Sequence, residues 1–286
     1  MTQIPAVFSQ VRVADHAVWR RLALGVLAVG MGLWLLSGCA GGSAGNAATR
    51  SQGEPITESD EPEGRKRARL RMELASGYFE QGKTEVALDE IKQSLLADPG
   101  YAPAYVLRGL VYMRLNDPVL ARESFERAMQ INPRDPDTLH NYGWFNCQQG
   151  ALAPSIDLFQ RALASPVYGG KPKTLMAMGI CQIRMGQLAE AEGSLARSYE
   201  LDAANPITGY NLASLLFRRG EDTRAQFYVR RLNNSELANA ETLWLGIKIE
   251  RRLGHNDAVE QLAQQLQRRF PQSNEWAAYQ RGAFND

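Results

Sequence analysis

Apolar residues follow three regimes along the chain. Leu22 to Leu36 is an almost unbroken apolar run, interrupted only by glycines. From Gly41 to Gly64 there is almost no large apolar residue: the stretch is mostly glycine, serine, alanine, proline, aspartate and glutamate. From about residue 68 onward, apolar residues recur with helical spacing and are interrupted at regular intervals by Gly or Asn. The first regime predicts an export segment, the second an unstructured tether, and the third a series of amphipathic helices.

The helical regime repeats itself. A small residue recurs at Ala75, Gly109, Gly143, Gly179, Ala213 and Gly246, with spacings of 34, 34, 36, 34 and 33. A second small residue recurs at Ala87, Ala121, Ser155, Ala191, Ala225 and Ala258 with the same spacings, irregularity included. Between the two ladders lie Gly82, Asn116, Gly150, Gly186, Gly220 and Gly254, residue types that tolerate the left-handed conformation ending a helix. Pro99, Pro133 and Pro271 close the first, second and last copies. Small residues let two antiparallel helices approach closely, so the ladders predict packing rather than chemistry.

This pattern resembles the tetratricopeptide repeat (TPR). The second copy carries Tyr105, Gly109, Tyr112, Ala121, Phe125, Ala128 and Pro133 in register. The predicted fold is all-α, a right-handed superhelix of six helix-turn-helix repeats. The repeats cover about 68–101, 102–135, 136–169, 172–205, 206–238 and 239–271, followed by a C-terminal capping segment 272–286. A two-residue insertion at Gly169-Gly170 separates the third repeat from the fourth.

The leader changes the reading of where the domain acts. Arg12, Arg20 and Arg21 precede an apolar run of about 15 residues that ends in Leu36-Ser37-Gly38-Cys39. A spanning helix needs roughly 20 residues, so the run fits a signal peptide better. Leu-Ser-Gly-Cys resembles the lipobox of bacterial lipoproteins. The resemblance implies a signal peptide over 1–38, acylation of Cys39, and a lipidated cysteine with its flexible tether over 39–64. Ala40 follows the cysteine, which by the same resemblance favours the outer membrane, with the chain on its periplasmic face.

Charge and composition exclude several classes. The 38 leader residues hold three of the 32 basic and one of the 31 acidic residues, so the remaining 248 carry a formal charge of −1. Such a balance offers no footprint for nucleic acid. His140 and His255 have no Cys or carboxylate at ligand spacing, so no metal site is expected. Tyr168-Gly169-Gly170-Lys171 fails as a phosphate loop because Ser165 stands where the first glycine is needed. No cofactor, no catalytic residue and no small-molecule substrate is expected. Cys147 and Cys181 remain, on first helices of adjacent repeats. In an exported protein they are a candidate disulfide, with two buried thiols as the alternative.

Function then falls to surfaces. In this repeat class the first helices line the concave groove, which assigns Phe79, Val106, Leu110, Met113 and Trp144 to a partner-binding strip. Arg114, Arg184, Arg218 and Arg251 would form a basic edge beside it. The run Arg65-Lys66-Arg67-Ala68-Arg69-Leu70-Arg71 opens the first helix and reads as a solvated face, with contact to anionic headgroups at the end of the tether as the alternative.

Lipobox, tether, six repeats and the ending Leu266-Gln267-Arg268-Arg269-Phe270-Pro271 with Ser273, Glu275, Tyr279, Gly282 and Phe284 resemble one family. It is the type IV pilus pilotins, the PilF/PilW pilus biogenesis and stability lipoproteins. The resemblance implies a non-enzymatic lipoprotein on the inner face of the outer membrane. Its partner would be the pilus secretin subunit, whose delivery and multimerisation it promotes for pilus biogenesis and twitching motility. A periplasmic TPR scaffold for peptidoglycan enzymes or outer-membrane protein assembly, or a regulatory subunit of an envelope enzyme, is the competing reading.

Overall fold

The computed structural model describes residues 60–284. The chain divides into one unit up to Glu61 and a second from Pro62 onward. The signal peptide, Cys39 and nearly all of the tether lie outside the described residues.

Thirteen helices follow from Pro62. They are α1 (Glu63–Glu80), α2 (Thr84–Ala97), α3 (Ala102–Arg114), α4 (Pro118–Ile131), α5 (Pro136–Gln148), α6 (Leu152–Leu163) and α7 (Lys171–Arg184). After these come α8 (Leu188–Leu201), α9 (Pro206–Arg218), α10 (Asp222–Asn233), α11 (Ala240–Arg252), α12 (Asn256–Arg269) and α13 (Asn274–Gln280). The first twelve form six antiparallel pairs, a TPR superhelix. The boundary of the tether needs one correction: Glu63 and Gly64 are already helical, because the chain turns into α1 directly after Pro62.

Each pair closes through the same turn. Gly82, Asn116, Gly150, Gly186, Gly220 and Gly254 all have positive φ, from 58° at Asn116 to 81° at Gly150. The residue after each donates its N–H to the carbonyl five positions back, as in Lys83 to Tyr78 and Asp117 to Tyr112, at 2.9 Å in all six. This Schellman closure satisfies carbonyls that a helix end leaves orphaned. Asn116 is the one non-glycine among them, and asparagine is the residue best suited to replace glycine there.

The ladder positions explain the close approach of the paired helices. A Cβ on Gly109 would lie 2.7–2.9 Å from three ring atoms of Phe125, one on Gly143 2.9 Å from Phe159, and one on Gly179 2.7 Å from Leu195. The small residue on the first helix therefore faces a large side chain of the second, and not simply the other small ladder as the sequence pattern implied. The large side chain sits four residues beyond the second ladder, one turn along the same face. Phe125, Phe159 and Leu195 are fully buried.

Successive first helices (α1, α3, α5, α7, α9, α11) pack backbone against backbone, whereas successive second helices meet only through long side chains, as where Tyr199 of α8 reaches Tyr228 of α10. The first helices therefore occupy the crowded inner side of the curve and the second helices the outer side. At the end of the superhelix, α13 and Phe284 cover the last pair: Trp244 lies 5.3 Å from the Phe284 ring and Trp276 stacks on Tyr279 at 5.4 Å.

The insertion is built around buried polar groups. Tyr168 and Thr174 share a hydrogen bond of 2.9 Å, and Thr174 is bonded to His140 Nδ1 at 2.8 Å. Gly170 is needed because any side chain there would collide with the Tyr168 ring. Next to it, Cys147 of α5 and Cys181 of α7 form a disulfide, with Cα atoms 6.0 Å apart and a sequence separation of 34. In the chain-entropy picture a loop of that size contributes on the order of 3–4 kcal/mol.

Two glycines should respond oppositely to alanine. Gly109→Ala should lower stability by about 1–3 kcal/mol through overpacking against Phe125. Gly193→Ala on α8, where a Cβ meets nothing within 4 Å, should raise it by about 0.5–1 kcal/mol. Urea unfolding followed by circular dichroism measures both.

Candidate functional site

The strip assigned from the sequence lies on α1, α3 and α5, three first helices in succession. Phe79, Leu110, Met113 and Trp144 are each half-buried, packed against the core from the inner side of the curve. They belong to three packing clusters. Phe79 lies on the first-repeat core, Leu110 and Met113 on the cluster of Phe125 and Phe145, and Trp144 on the cluster of Phe159 and Cys147.

Val106 is a correction. Only 9% exposed, it is a member of the buried cluster of Ala121, Phe125, Ala128 and Phe145. It is nearer the start of α3 than Leu110 and Met113, where Phe125 and Phe145 close over it.

The expected basic edge is also rearranged. Arg114 lies with its guanidinium 3.7 Å above the Phe79 ring and donates to the Phe79 carbonyl. Arg184 donates to the Cys147 carbonyl at 3.1 Å, and Arg251 lies 3.8 Å over Phe284. These cations serve helix ends and aromatic faces, where a positive charge meets the negative end of the helix dipole. Three members of the basic run on α1 are paired as well: Arg65 with Asp98, Arg69 with Glu73 at 3.2 Å and Arg71 with Glu90 at 2.9 Å.

One surface escaped the sequence reading. Leu70 and Leu74 on α1 are 47% and 52% exposed. With Glu73, Gly77, Tyr78 and Gln81 they line a shallow concavity of about 640 Å³ on the outer face of the first helix. Gly77 deepens it, since a Cβ there would meet no atom within 4 Å. The signal was present: Leu70 and Leu74 lie four apart on the side of α1 opposite the buried Ala68 and Ala75, a second apolar stripe that no partner in the fold requires.

The histidines have structural partners. Burial, helped by Lys173, pushes the His140 pKa down to about 3. His255 Nδ1 lies 2.7 Å from Glu250, which Arg230 and Gln226 also bind at 2.6 and 2.7 Å. Burial pushes the Glu250 carboxyl up, but those hydrogen bonds outweigh it and hold the group below the ordinary carboxylate range. The first-helix pattern aims Glu250 at the groove; instead it is buried and ties α10 to α11 and to His255 before α12. Among the described residues no group of three His, Cys, Asp or Glu side chains could hold a metal ion, and no helix is long and apolar enough to cross a membrane.

Comparison with known proteins places the fold among characterised relatives. Residues 72–136 match the tetratricopeptide repeat family model. The chain is 26% identical over 209 residues to the type IV pilus assembly protein PilF of Pseudomonas aeruginosa, covering 73% of this chain and 83% of that protein. It is similar to the crystal structure of PilW, a widely conserved type IV pilus biogenesis factor, with 31% identity, a TM-score of 0.69, and 74% and 97% of the two chains covered. The solved structure of Pseudomonas aeruginosa PilF matches with 26% identity, a TM-score of 0.70, and coverage of 77% and 99%.

The buried imidazole gives a pH prediction. The folded His140 pKa lies below the 6.5 of an ordinary imidazole, so between 6.5 and about 3 the unfolded chain binds a proton that the folded chain refuses. Stability should fall on acidification through that window. Proton NMR should show His140 still neutral there, and His140→Gln should remove this part of the acid sensitivity.

Proposed function

The chain belongs to the PilF/PilW family of TPR proteins of type IV pilus biogenesis, and from that premise we propose that it is an outer-membrane lipoprotein that binds the pilus secretin subunit. In this reading its role is to bring the secretin to the outer membrane and promote its multimerisation, and hence twitching motility. The mechanism is non-catalytic. Acylated Cys39 fixes the protein on the periplasmic face of the outer membrane, and the superhelix holds a secretin segment during delivery and assembly.

The observation that carries the binding half is the half-open apolar strip of Phe79, Leu110, Met113 and Trp144 across the inner side of the first three repeats. Apolar side chains left half-exposed on adjacent helices gain by burial against a partner segment, at about 25 cal/mol per Å². The open concavity of Leu70, Leu74, Gly77 and Tyr78 extends the apolar surface of the same repeat onto the outside of α1.

Anchoring carries the other half. A single acyl chain gives marginal membrane binding, and stable attachment takes two or more. A lipidated cysteine at the head of a tether supplies this while leaving the superhelix free to meet its partner.

The test is affinity capture from membranes with tagged protein, probed for the secretin. Leu110→Arg combined with Trp144→Arg should reduce the captured secretin at least about tenfold, since losing 1.4 kcal/mol of binding is already a factor of ten. It should also abolish heat-stable secretin multimers. Undiminished capture by the folded double variant would refute the groove assignment. Cys39→Ser should leave the helical circular dichroism spectrum intact and shift the protein, and with it the secretin multimers, out of the outer-membrane fraction.

A further inference from the structure

The six repeats are not joined alike. The carbonyls in the last turn of a first helix lack partners within the helix. The turn glycine's N–H supplies one, and at three of the five junctions an arginine from the next first helix adds a second donor to the same carbonyl. Arg114 of α3 donates to the Phe79 carbonyl of α1, Arg184 of α7 to the Cys147 carbonyl of α5 at 3.1 Å, and Arg252 of α11 to the Phe217 carbonyl of α9 at 3.1 Å.

In each case the same guanidinium also lies against the side chain of the residue whose carbonyl it caps. It sits 3.7 Å over the Phe79 ring, 3.9 Å from Cys147 Sγ and 4.3 Å over the Phe217 ring. These junctions join repeats 1 and 2, 3 and 4, and 5 and 6. The middle one carries the disulfide as well.

The other two junctions lack this clamp. Between repeats 2 and 3 the residue facing Met113 in the pattern is Gln148, which is too short to cap and stands exposed. Between repeats 4 and 5, Arg218 makes no hydrogen bond to the Ile183 carbonyl, and Arg219 turns away to Glu192 and Glu221. Neighbouring repeats also make their fewest close approaches at these two junctions.

What does hold them involves the second helices. Phe125 of α4 packs on Tyr142 and Phe145 at 5.7 and 5.6 Å, and Arg161 of α6 donates to the Pro133 carbonyl at 3.1 Å. Glu192 of α8 binds Arg219 and Arg224, and Tyr199 meets Tyr228 at 4.9 Å. A junction held on its outer side and unclamped on its inner side is a hinge.

We propose that the superhelix consists of three stiff two-repeat blocks, repeats 1–2, 3–4 and 5–6, which flex at the junctions between repeats 2 and 3 and between repeats 4 and 5. The first hinge falls between Met113 and Trp144, so flexing there changes the spacing of the apolar strip. A groove that widens at one defined place can admit a bulky segment and close on it without breaking the helix pairs.

The flexing does not depend on the identity of the partner and is tested without one. Nitroxide labels are attached through a genetically encoded ketone amino acid, which leaves the cysteines alone, in the full chain in detergent. The labelled pairs are Gln81 with Leu115, Leu115 with Gln149, and Gln149 with Gln187, all exposed turn positions beyond the first helices. Paramagnetic resonance should give a distance distribution about twice as broad for Leu115 with Gln149 as for the other two pairs. Gln148→Arg, which restores the missing clamp, should narrow that distribution to the width of the blocks, and Arg114→Gln should broaden Gln81 with Leu115. Equal widths at all three pairs, or widths that neither substitution moves, would overturn the proposal; circular dichroism of each variant verifies that its helices are intact.

Discussion

Everything in this molecule depends on how closely the two helices of one repeat can approach. The closest point is set by a residue with little or no side chain on the first helix, opposite a large one on the second. Gly109 under Phe125, Gly143 under Phe159 and Gly179 under Leu195 are the clearest cases, each too tight for a Cβ. Close approach brings the ends of the helices so near that the connection must reverse within a few residues. Only a positive φ does this, which is why Gly or Asn stands in every intra-repeat turn. Small ladder and turn residue are therefore two consequences of one geometric demand, which is why they share a spacing along the chain.

That demand is local, and local demands are readable in a sequence. The helix pairs and their turns followed from residues less than twenty positions apart, and the all-α superhelix from the recurrence of that local pattern every 33 to 36 residues. The insertion after the third repeat was visible as a break in both ladders, but its content was not. The His140–Thr174–Tyr168 hydrogen bonds that occupy it join residues up to 34 positions apart, and nothing in the local pattern calls for them. Val106 shows the same limit on a smaller scale. Its helical phase matches that of Leu110 and Met113, yet Phe125 and Phe145 bury it. Phase gives the direction of a side chain, whereas depth depends on which neighbour arrives from the next element.

The arginines are the sharpest case. Arg114 and Arg184 stand at equivalent positions in their repeats, and a sequence pattern reads a row of equivalent cations as a charged edge. In the fold each finds a carbonyl at the end of the preceding first helix, which also accepts the N–H of the turn glycine, together with a polarisable or aromatic surface. A guanidinium suits both at once, because its edge donates and its face stacks. A short hydrogen bond to a carbonyl at the negative end of a helix outweighs the loose attraction of an exposed cation for distant anions, which salt screens. An identical residue in the fifth repeat, Arg218, stays exposed without such a bond, so position in the repeat alone does not decide the outcome.

This bears on how the proposed carrier role would work. An enzyme fixes a few side chains to a fraction of an ångström, whereas a carrier needs a surface that grips while its partner is moved and then releases it. A continuous superhelix with uniformly tight junctions would present a fixed groove, and a uniformly loose one would lose the apolar strip as a single surface. Clamped pairs of repeats with unclamped junctions between them lie between those extremes. Within each block, clamping keeps neighbouring apolar side chains in register, Phe79 with Leu110 and Met113 in the first. The junction beyond them then sets the distance to Trp144. Affinity in such an arrangement depends on how much the junction must bend to bring both halves of the strip onto the ligand, because bending free energy subtracts directly from the contact free energy.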